Sequence, residues 1–345
     1  MLRSPGRPQA PAAALKCEVA MQISKSVRAA MVPSEHPMHT GYTSIYLITP
    51  KGGQSLTIDS GEAMEKYQWF LRGYLAAAEK AEIGLATITH HHQDHSGNLK
   101  WVKELLGAEI AIPEKGKSLL KGRIPTKVDM VKDGDVLDLG GGVKLQVIAT
   151  PGHSVDSMSY YIEKEGILFS GDTLLGSSTT SIHDLGSYRR SLQRLIELPN
   201  LKVILPGHGT IVNDPRERLQ MYIDHRAQRE REILKVLAGG KQLTSWEIML
   251  EVYKNLNPNL RRAADGNVRT HLAQLQEEGR ITGYAGVPRR PNLKKIEREH
   301  EHARVENLVL KQAQKIESTR SAAALRAQEN PSGAEWKNPP RFELA

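Results

Sequence analysis

The amino-acid sequence predicts an α+β protein in which β-sheets are covered by helices on their outer faces. Paired apolar segments joined by glycine-containing turns are typical of antiparallel strands. Longer segments with apolar residues at helical spacing lie between these pairs and predict helices. The order of strand pair, helix, strand and helix occurs twice before residue 240. Because each sheet has to bury one face, this order predicts a layered domain with its helices outside.

The first repeat begins with two apolar segments, SIYLITP and QSLTID, which flank the turn Lys51-Gly52-Gly53. In the following segment, Trp69, Leu71 and Leu75 are among the apolar residues at helical spacing, with Glu and Lys between them. The predicted elements are strands over 44–50 and 54–59, a helix over 62–80, a strand over 83–89, a helix capped by Ser96 and ending near Leu106, and a strand over 108–113.

Two predicted hairpins open the second repeat. DVLDLGGGVKLQVIAT turns at the three glycines 140–142, and SYYIEKEGILFSGD turns at Glu165-Gly166. A helix over about 187–197 and the strand KVILPGHG follow. A long helix over 214–238 ends the repeat, and its apolar residues lie on one side with Arg and Glu on the other. We expect this helix to pack beside the strand ends.

The pattern changes after Gly239-Gly240. Residues 241–284 contain three predicted helices followed by the strand RITGY, which is typical of a winged-helix module. The residues beyond are charged and rich in alanine, and a helix is predicted over 292–328. The predicted domains are an N-terminal extension (1–40), a catalytic domain (41–240), a winged-helix-like domain (241–290) and a charged helical or disordered tail (291–345).

The net charge of +8 lies mainly in the ends of the chain, because residues 41–284 carry 30 basic and 29 acidic residues. Phosphate contacts need basic residues, so this balance favours a small-molecule substrate over RNA. The single cysteine excludes an internal disulfide and a zinc site made of four cysteines. No apolar segment approaches the roughly 18 to 20 residues of a membrane span. We therefore predict a cytoplasmic protein without a membrane partner, with a mitochondrial location as the alternative because the first residues are rich in Arg and Ala.

The segment THHHQDHSG places four histidines and an aspartate in six consecutive positions after a predicted strand. Side chains at a strand end point alternately to opposite sides. His90 and His92 are therefore expected to point one way, and His91 the other, where it is packed or solvated behind the strand. The chain then turns, so that Asp94 and His95 are expected to reach the same cleft as His90 and His92.

Four ligands from one loop cannot complete the coordination of two metal ions. Three further candidates each follow a predicted strand and have glycine beside them: His153 in TPGHS, Asp172 in FSGDT and His208 in LPGHG. Glycine allows the backbone to approach closely and to turn sharply. Imidazole and carboxylate ligands without thiolate favour zinc, with manganese or iron as alternatives.

The order H-x-H-x-D-H, P-G-H, S-G-D and P-G-H-G resembles the metallo-β-lactamase superfamily, whose fold is an αββα sandwich. The resemblance implies two zinc ions that share Asp172 as a bridging ligand. The other implied ligands are His90, His92 and His153 for the first ion, and Asp94, His95 and His208 for the second. The resemblance also implies that Asp94 and Asp172 are catalytic and that Asp59, in TIDSG, holds the metal loop. True β-lactamases often place a cysteine near the second metal, which this sequence lacks.

The sequence from GDTLLGSSTT to the winged-helix residues is similar to one branch of that superfamily, with a C-terminal winged helix. The branch includes a mitochondrial single-stranded-RNA endonuclease and fungal polyketide thioesterases. The resemblance implies a dizinc hydrolase that uses a metal-bridging hydroxide on a small ester or thioester substrate. The alternative is a metal-dependent single-stranded-RNA endoribonuclease. The winged-helix module is expected to line the substrate entrance or to form a homodimer contact.

Overall fold

A computed structural model describes residues 21–33, 41–77, 83–120, 122–288 and 336–345. The residues considered as a targeting peptide, Cys17 and the predicted helix over 292–328 lie outside the described residues. None of the helices in the described ranges is long and apolar enough to cross a membrane.

Seven strands form the first sheet and follow one another in chain order across it. They are β1 (Met21–Gln22), β2 (Val27–Pro33), β3 (Tyr42–Ile48), β4 (Leu56–Ile58), β5 (Leu85–Thr87), β6 (Glu109–Pro113) and β7 (Asp129–Val131). The pairs from β1 to β4 are antiparallel, whereas β4, β5, β6 and β7 run parallel to one another. Because β4 and β5 end at the same edge, Asp59 after β4 lies beside the histidine loop after β5.

Five strands form the second sheet in the order β12, β11, β10, β9 and β8. They are β8 (Val136–Asp138), β9 (Lys144–Ala149), β10 (Met158–Ile162), β11 (Ile167–Gly171) and β12 (Val203–Pro206). The antiparallel pairs β8–β9 and β10–β11 confirm the two predicted hairpins. β11 and β12 are parallel, with Gly171 paired to Pro206. Asp172 and His208 therefore leave the sheet at the same edge.

Helices cover both outer faces of the paired sheets. On the first sheet they are α1 (Glu65–Ala77) and α3 (Leu99–Leu106), and on the second α4 (Leu185–Ile196) and α5 (Pro215–Leu237). The short helix α2 (Gln93–Ser96) lies in the histidine loop, and α6 (Ser245–Val252) and α7 (Arg261–Glu277) belong to the winged-helix residues. Between the sheets, Tyr46 and Ile48 of β3 share an apolar cluster with Tyr160 and Phe169. The alternate residues of β3 pack outward with α1 and α3, and the outer face of the second sheet packs against α4 and α5. This arrangement is the αββα sandwich that the sequence predicted.

The predicted N-terminal extension, residues 1–40, is wrong in part. Residues 21–33 form β1 and β2, so this part of residues 1–40 belongs to the first sheet. Val27 and Ala29 of β2 face the space between the sheets, while Ala30 and Val32 pack towards the outer helices. Because both faces are apolar, the strand lacks the alternation of polar and apolar residues that marks an antiparallel strand with one face in solvent.

The predicted helix cap at Ser96 is also wrong. Ser96 is the last residue of α2, and α3 begins after Asn98. The Ser96 hydroxyl lies 2.9 Å from the carbonyl oxygens of both His91 and His92. It therefore closes the histidine loop instead of starting the next helix.

The winged-helix residues form a separate apolar cluster at the end of α5. Trp246, Val268 and Leu272 pack there with Ile233 and Leu237 of α5. The last helix of this unit, α7, runs from Arg261 to Glu277. The strands of this unit are β13 (Ile281–Tyr284), β14 (Val287–Pro288), β15 (Trp336–Asn338) and β16 (Arg341–Leu344). β13 pairs with β16 and β14 pairs with β15, so residues 336–345 of the predicted tail belong to the winged-helix unit.

Candidate metal centre

The structure brings all seven predicted metal-binding side chains together at one edge of the two sheets. They form two groups, namely His90, His92, His153 and Asp172, and Asp94, His95 and His208. Within each group the candidate ligand atoms lie within 4.8 Å of one another. Six of the seven residues are buried and His92 is half-buried. The loops after β5, β9, β11 and β12 supply them, as the strand-end pattern predicted.

Asp172 lies between the two groups. Its Oδ1 atom is 3.5 Å from Nε2 of His95 and 3.5 Å from Nε2 of His208. Its Oδ2 atom is 3.7 Å from Nε2 of His153. Oδ1 is buried and has no hydrogen-bond partner among the described residues. A buried carboxylate oxygen without a donor is costly, and a cation between these groups would satisfy it.

Glycine is required at the point where the chain passes this carboxylate. A Cβ atom on Gly207 would lie 2.5 Å from Oδ1 of Asp172 and 2.7 Å from Cε1 of His95. Both distances are shorter than van der Waals contact allows. The glycine of the LPGHG motif therefore gives the backbone access to the site, as the sequence suggested.

Three histidines are held through the ring nitrogen that faces away from the site. Nδ1 of His95 is 2.8 Å from Oδ2 of Asp59. Nδ1 of His208 is 2.8 Å from the carbonyl oxygen of Tyr42, and Nδ1 of His153 is 2.9 Å from that of Ser181. Carbonyl and carboxylate oxygens only accept hydrogen bonds, so each Nδ1 carries the proton. In the neutral form of each imidazole, Nε2 then presents its lone pair to the site, which is the arrangement expected of a metal-binding histidine.

The nitrogens of the first group are packed as closely as ligands of one ion. Nε2 of His90 is 2.8 Å from Nδ1 of His92, and Nε2 of His153 is 3.2 Å from the same atom. Two zinc-bound nitrogens in tetrahedral geometry are about 3.3 Å apart, given zinc–nitrogen bonds of about 2.0–2.1 Å. The spacing of these donor atoms therefore fits a divalent ion.

The first group keeps its histidines neutral. Burial lowers the pKa of His92 to about 3, with the neighbouring His153 acting in the same direction. Burial and the surrounding imidazoles hold the pKa of His90 well below its usual value. Burial also lowers the pKa of His153, although Asp172 opposes it. At neutral pH these three side chains are in the form that binds metal.

The second group attracts positive charge. Burial lowers the pKa of His95, but the carboxylates of Asp94, Asp59 and Asp172 outweigh burial and hold that pKa well above its usual value. The pKa of His208 is also raised, because Asp172 and Asp94 together outweigh its burial. Without a metal ion the carboxylates thus stabilise imidazolium. A divalent cation would take the place of these protons, so protons and metal compete for this group.

Asp59 connects the two neighbouring strand ends, as the resemblance to the superfamily implied. Its Oδ1 atom accepts a hydrogen bond from the backbone NH of Thr89 at 2.7 Å, and Oδ2 faces His95. The hydroxyl of Thr89 is 3.1 Å from both carboxylate oxygens and 3.0 Å from Nδ1 of His90. One buried carboxylate therefore orients a histidine directly in one group and, through Thr89, a histidine in the other.

His91 belongs to neither group, in agreement with the predicted alternation. It is not merely packed or solvated, however, because its Nδ1 atom lies 2.8 Å from Oδ1 of Asp156. The side chain of Asp156 is fully buried, whereas that of His91 is 24% exposed. The pair joins the histidine loop to the loop that carries His153. His91 thus has a structural contact that strand alternation could not reveal.

Several residues that hold the site were not found from the sequence. The hydroxyl of Thr43 donates to Oδ2 of Asp94 at 3.3 Å, and that of Thr180 lies 3.0 Å from Nδ1 of His153. Tyr42 and Ser181 contribute carbonyl oxygens. No sequence motif marks a carbonyl oxygen, because every residue has one. The threonines have a weak signal only, in that each lies close to a strand end or a predicted turn.

Comparisons with known proteins agree with the geometry. The profile of the Metallo-beta-lactamase superfamily matches residues 40–208, and that of the Beta-lactamase associated winged helix domain matches residues 244–286. The chain is 33% identical over 259 residues to the Beta-lactamase-like protein 2 homolog of Caenorhabditis elegans, covering 75% of this chain and 86% of that protein. It is 31% identical over 199 residues to the Atrochrysone carboxyl ACP thioesterase of Aspergillus fumigatus, covering 56% of this chain and 59% of that protein.

A solved structure shows the same fold. A metallo-beta-lactamase family protein of Thermus thermophilus superposes with a TM-score of 0.65 and 24% identity, covering 76% of this chain and 97% of that chain. The fold, the donor residues and the extent of the matches agree with one another. The chain is therefore a member of the metallo-β-lactamase superfamily, a family of hydrolases, and it carries the associated winged-helix domain.

Proposed function

We propose that this protein is a dizinc hydrolase that acts on small ester or thioester substrates. The observation that carries the proposal is the position of Asp172, whose two carboxylate oxygens face different donor groups. A carboxylate placed in this way can bind two ions at once. Five imidazoles and two carboxylates, without thiolate, favour zinc over manganese or iron.

The role proposed for the ions is to supply the nucleophile. Two zinc ions in one site lower the pKa of bound water to near 7 and polarise the bond to be cleaved. The protein's own part is to hold the donors in a buried and fixed arrangement. Asp172 and Asp94 are the proposed catalytic carboxylates, and the hydroxyl of Thr43, which donates to Oδ2 of Asp94 at 3.3 Å, helps to fix the position of Asp94.

Two observations support a carbonyl substrate. The similar protein of Aspergillus fumigatus is named as a carboxyl thioesterase. Residues 41–284 carry 30 basic and 29 acidic residues, so the net charge of the body gives little attraction to a polyanion such as RNA. These observations favour a small acyl substrate, and cleavage of single-stranded RNA is the alternative outcome of the experiment below.

The test is a substrate panel on the full chain after zinc loading. Acyl thioesters, carboxylic esters and single-stranded RNA are compared at equal enzyme concentration and at two salt concentrations. We expect thioester or ester hydrolysis that responds little to salt. Cleavage restricted to RNA, with affinity falling steeply as salt rises, would contradict the proposed substrate class.

Two variants accompany the wild type in this panel. Asp172→Ala removes the shared carboxylate, and its activity should fall by at least the roughly 10–100-fold that loss of a ligand's supporting partner causes. Asp138→Asn is the matched control, because its carboxylate is 58% exposed and Asp138 pairs with Lys144 at the start of β9, the end of that strand away from His153. If Asp172→Ala hydrolysed its substrate as fast as Asp138→Asn, the dizinc proposal would be wrong.

A further inference from the structure

The winged-helix domain is connected to the first donor group by one short stretch of chain, residues 180–182, which we call the bridging segment. On one side of it, the Ser181 carbonyl oxygen is 2.9 Å from Nδ1 of His153 and the Thr180 hydroxyl is 3.0 Å from the same nitrogen. The bridging segment therefore supplies both polar partners that are found for the outward nitrogen of His153 among the described residues.

On the other side, the bridging segment is bonded to α7 of the winged-helix domain. The backbone NH of Ile182 donates to Oδ1 of Asn267 at 3.1 Å, and the Thr270 hydroxyl donates to the Ile182 carbonyl at 3.0 Å. Asn267 and Thr270 are three positions apart, so they lie on one face of the helix. The two bonds hold both polar backbone groups of Ile182. The bond from the Ile182 NH fixes the peptide unit that also carries the Ser181 carbonyl, and the bond to the Ile182 carbonyl fixes the next peptide unit.

A third contact comes from α5, the helix that leads into the winged-helix domain. Nη2 of Arg226 donates to the Thr180 carbonyl at 2.6 Å. Arg226 is only 1% exposed, and its guanidinium lies over the ring of Tyr188 with 5.5 Å to the ring centroid. Burying a guanidinium costs free energy, and here its hydrogen bond is made to a carbonyl oxygen of the bridging segment. The bridging segment is thus hydrogen-bonded to both α5 and α7.

We propose that Asn267 and Thr270 are positioning residues for His153, so that the winged-helix domain is part of the scaffold of the metal centre. This inference rests on the proposed function, in which His153 binds one of two zinc ions. The domain would then set the orientation of the His153 ring through the peptide units of the bridging segment. It is a role for the domain that requires no nucleic acid.

The test measures zinc affinity as well as activity, on the full chain. Metal-free wild type, Asn267→Ala and Thr270→Val are titrated with zinc against a chelating indicator. Removing the direct partner of a metal-bound histidine costs about 10–100-fold in metal affinity. Asn267 and Thr270 act through the bridging segment and do not contact His153 themselves. We therefore expect each substitution to weaken one of the two zinc-binding steps by a smaller factor, about 3- to 10-fold. Cobalt-loaded protein should also show a changed visible absorption spectrum.

Conservative variants separate positioning from general stability. Asn267→Asp keeps an acceptor for the Ile182 NH, and Thr270→Ser keeps the donating hydroxyl, so both should retain wild-type zinc affinity. The Thr270 hydroxyl also lies 3.0 Å from the Gly266 carbonyl, so Thr270→Val removes a contact within α7 as well. Asn267→Ala leaves that contact in place and therefore tests the bridging segment alone. Thr244→Ala is the control, because it removes the capping box of α6 without touching the bridging segment.

The outcomes are distinct. Wild-type zinc affinity and cobalt spectra in both Asn267→Ala and Thr270→Val would overturn the inference. An equal loss in Thr244→Ala would also overturn it, because the effect would then be one of domain stability. A wild-type chain that binds fewer than two zinc ions would instead refute the proposed function, and with it the basis of the inference.

Discussion

Replacing Asp59 by Asn tests whether the orientation of one buried carboxylate determines metal binding. The substitution keeps the shape of the side chain and removes its charge. Asp59 is 1% exposed, and its two oxygens accept from different donors, the Thr89 NH at 2.7 Å and Nδ1 of His95 at 2.8 Å. An asparagine has one oxygen and one NH2 group, so it cannot accept from both.

The expected loss follows from this geometry. If the amide oxygen stays on Thr89, the NH2 group faces His95, whose Nδ1 must then accept and whose proton moves to Nε2, the atom proposed to bind metal. If the amide is turned round, its NH2 group faces the Thr89 NH. The first orientation keeps both hydrogen bonds but places the proton on the nitrogen proposed to bind metal, whereas the second leaves a buried hydrogen bond unmade, at a cost of about 1–3 kcal/mol. At 1.36 kcal/mol per factor of ten, this corresponds to roughly a 5- to 150-fold weaker zinc affinity, close to the 10–100-fold typical of such partners.

The assay is competition between the metal-free chain and a chelating indicator for zinc, with Asp138→Asn as the control for loss of an exposed carboxylate. We expect the step assigned to the second donor group, Asp94, His95 and His208, to weaken in Asp59→Asn. The control should behave as the wild type. Two zinc-binding steps of unchanged affinity in Asp59→Asn would show that the Asp59–His95 contact does not set the metal-binding form of His95.

Three further changes have definite expected results. Asp172→Ala should bind fewer than two zinc ions per chain by elemental analysis after loading, and retention of two ions would argue against a bridging role. His91→Ala should still bind two ions but should unfold with about 1–3 kcal/mol less free energy in a denaturant titration, because Asp156 loses a buried partner; unchanged stability would show that this pair contributes nothing. His271, in α7, has no hydrogen-bond partner for either ring nitrogen among the described residues, and burial lowers its pKa to about 3. Below pH 6.5 the unfolded chain binds a proton at His271 that the folded chain does not, so the free energy of unfolding decreases as the pH is lowered. When the pH is lowered from 7.5 to 5, the wild type should therefore lose about 2 kcal/mol more of this free energy than His271→Leu in urea unfolding. An equal pH dependence of the two proteins would contradict this assignment.

Features that depend on neighbouring residues could be predicted from the sequence. The glycine turns at 140–142 and at Gly166 predicted both hairpins of the second sheet, because a turn is encoded by the few residues within it. The types of donor and their places after strands predicted which side chains meet at the sheet edge. The glycine of LPGHG indicated close backbone approach before any distance was known. That these side chains bind zinc remains a prediction.

The contacts that hold those side chains come from segments that are distant in the sequence. Nδ1 of His208 is bonded to the carbonyl of Tyr42, 166 residues away along the chain, and Nδ1 of His153 to that of Ser181. Residues 336–345 pair with β13 and β14 although a sequence of charged residues separates them. Carbonyl groups are the same in every residue, and strand partners are chosen by the packing of the whole domain. Neither leaves a pattern in the local sequence, so both became visible only once distant segments were placed beside one another.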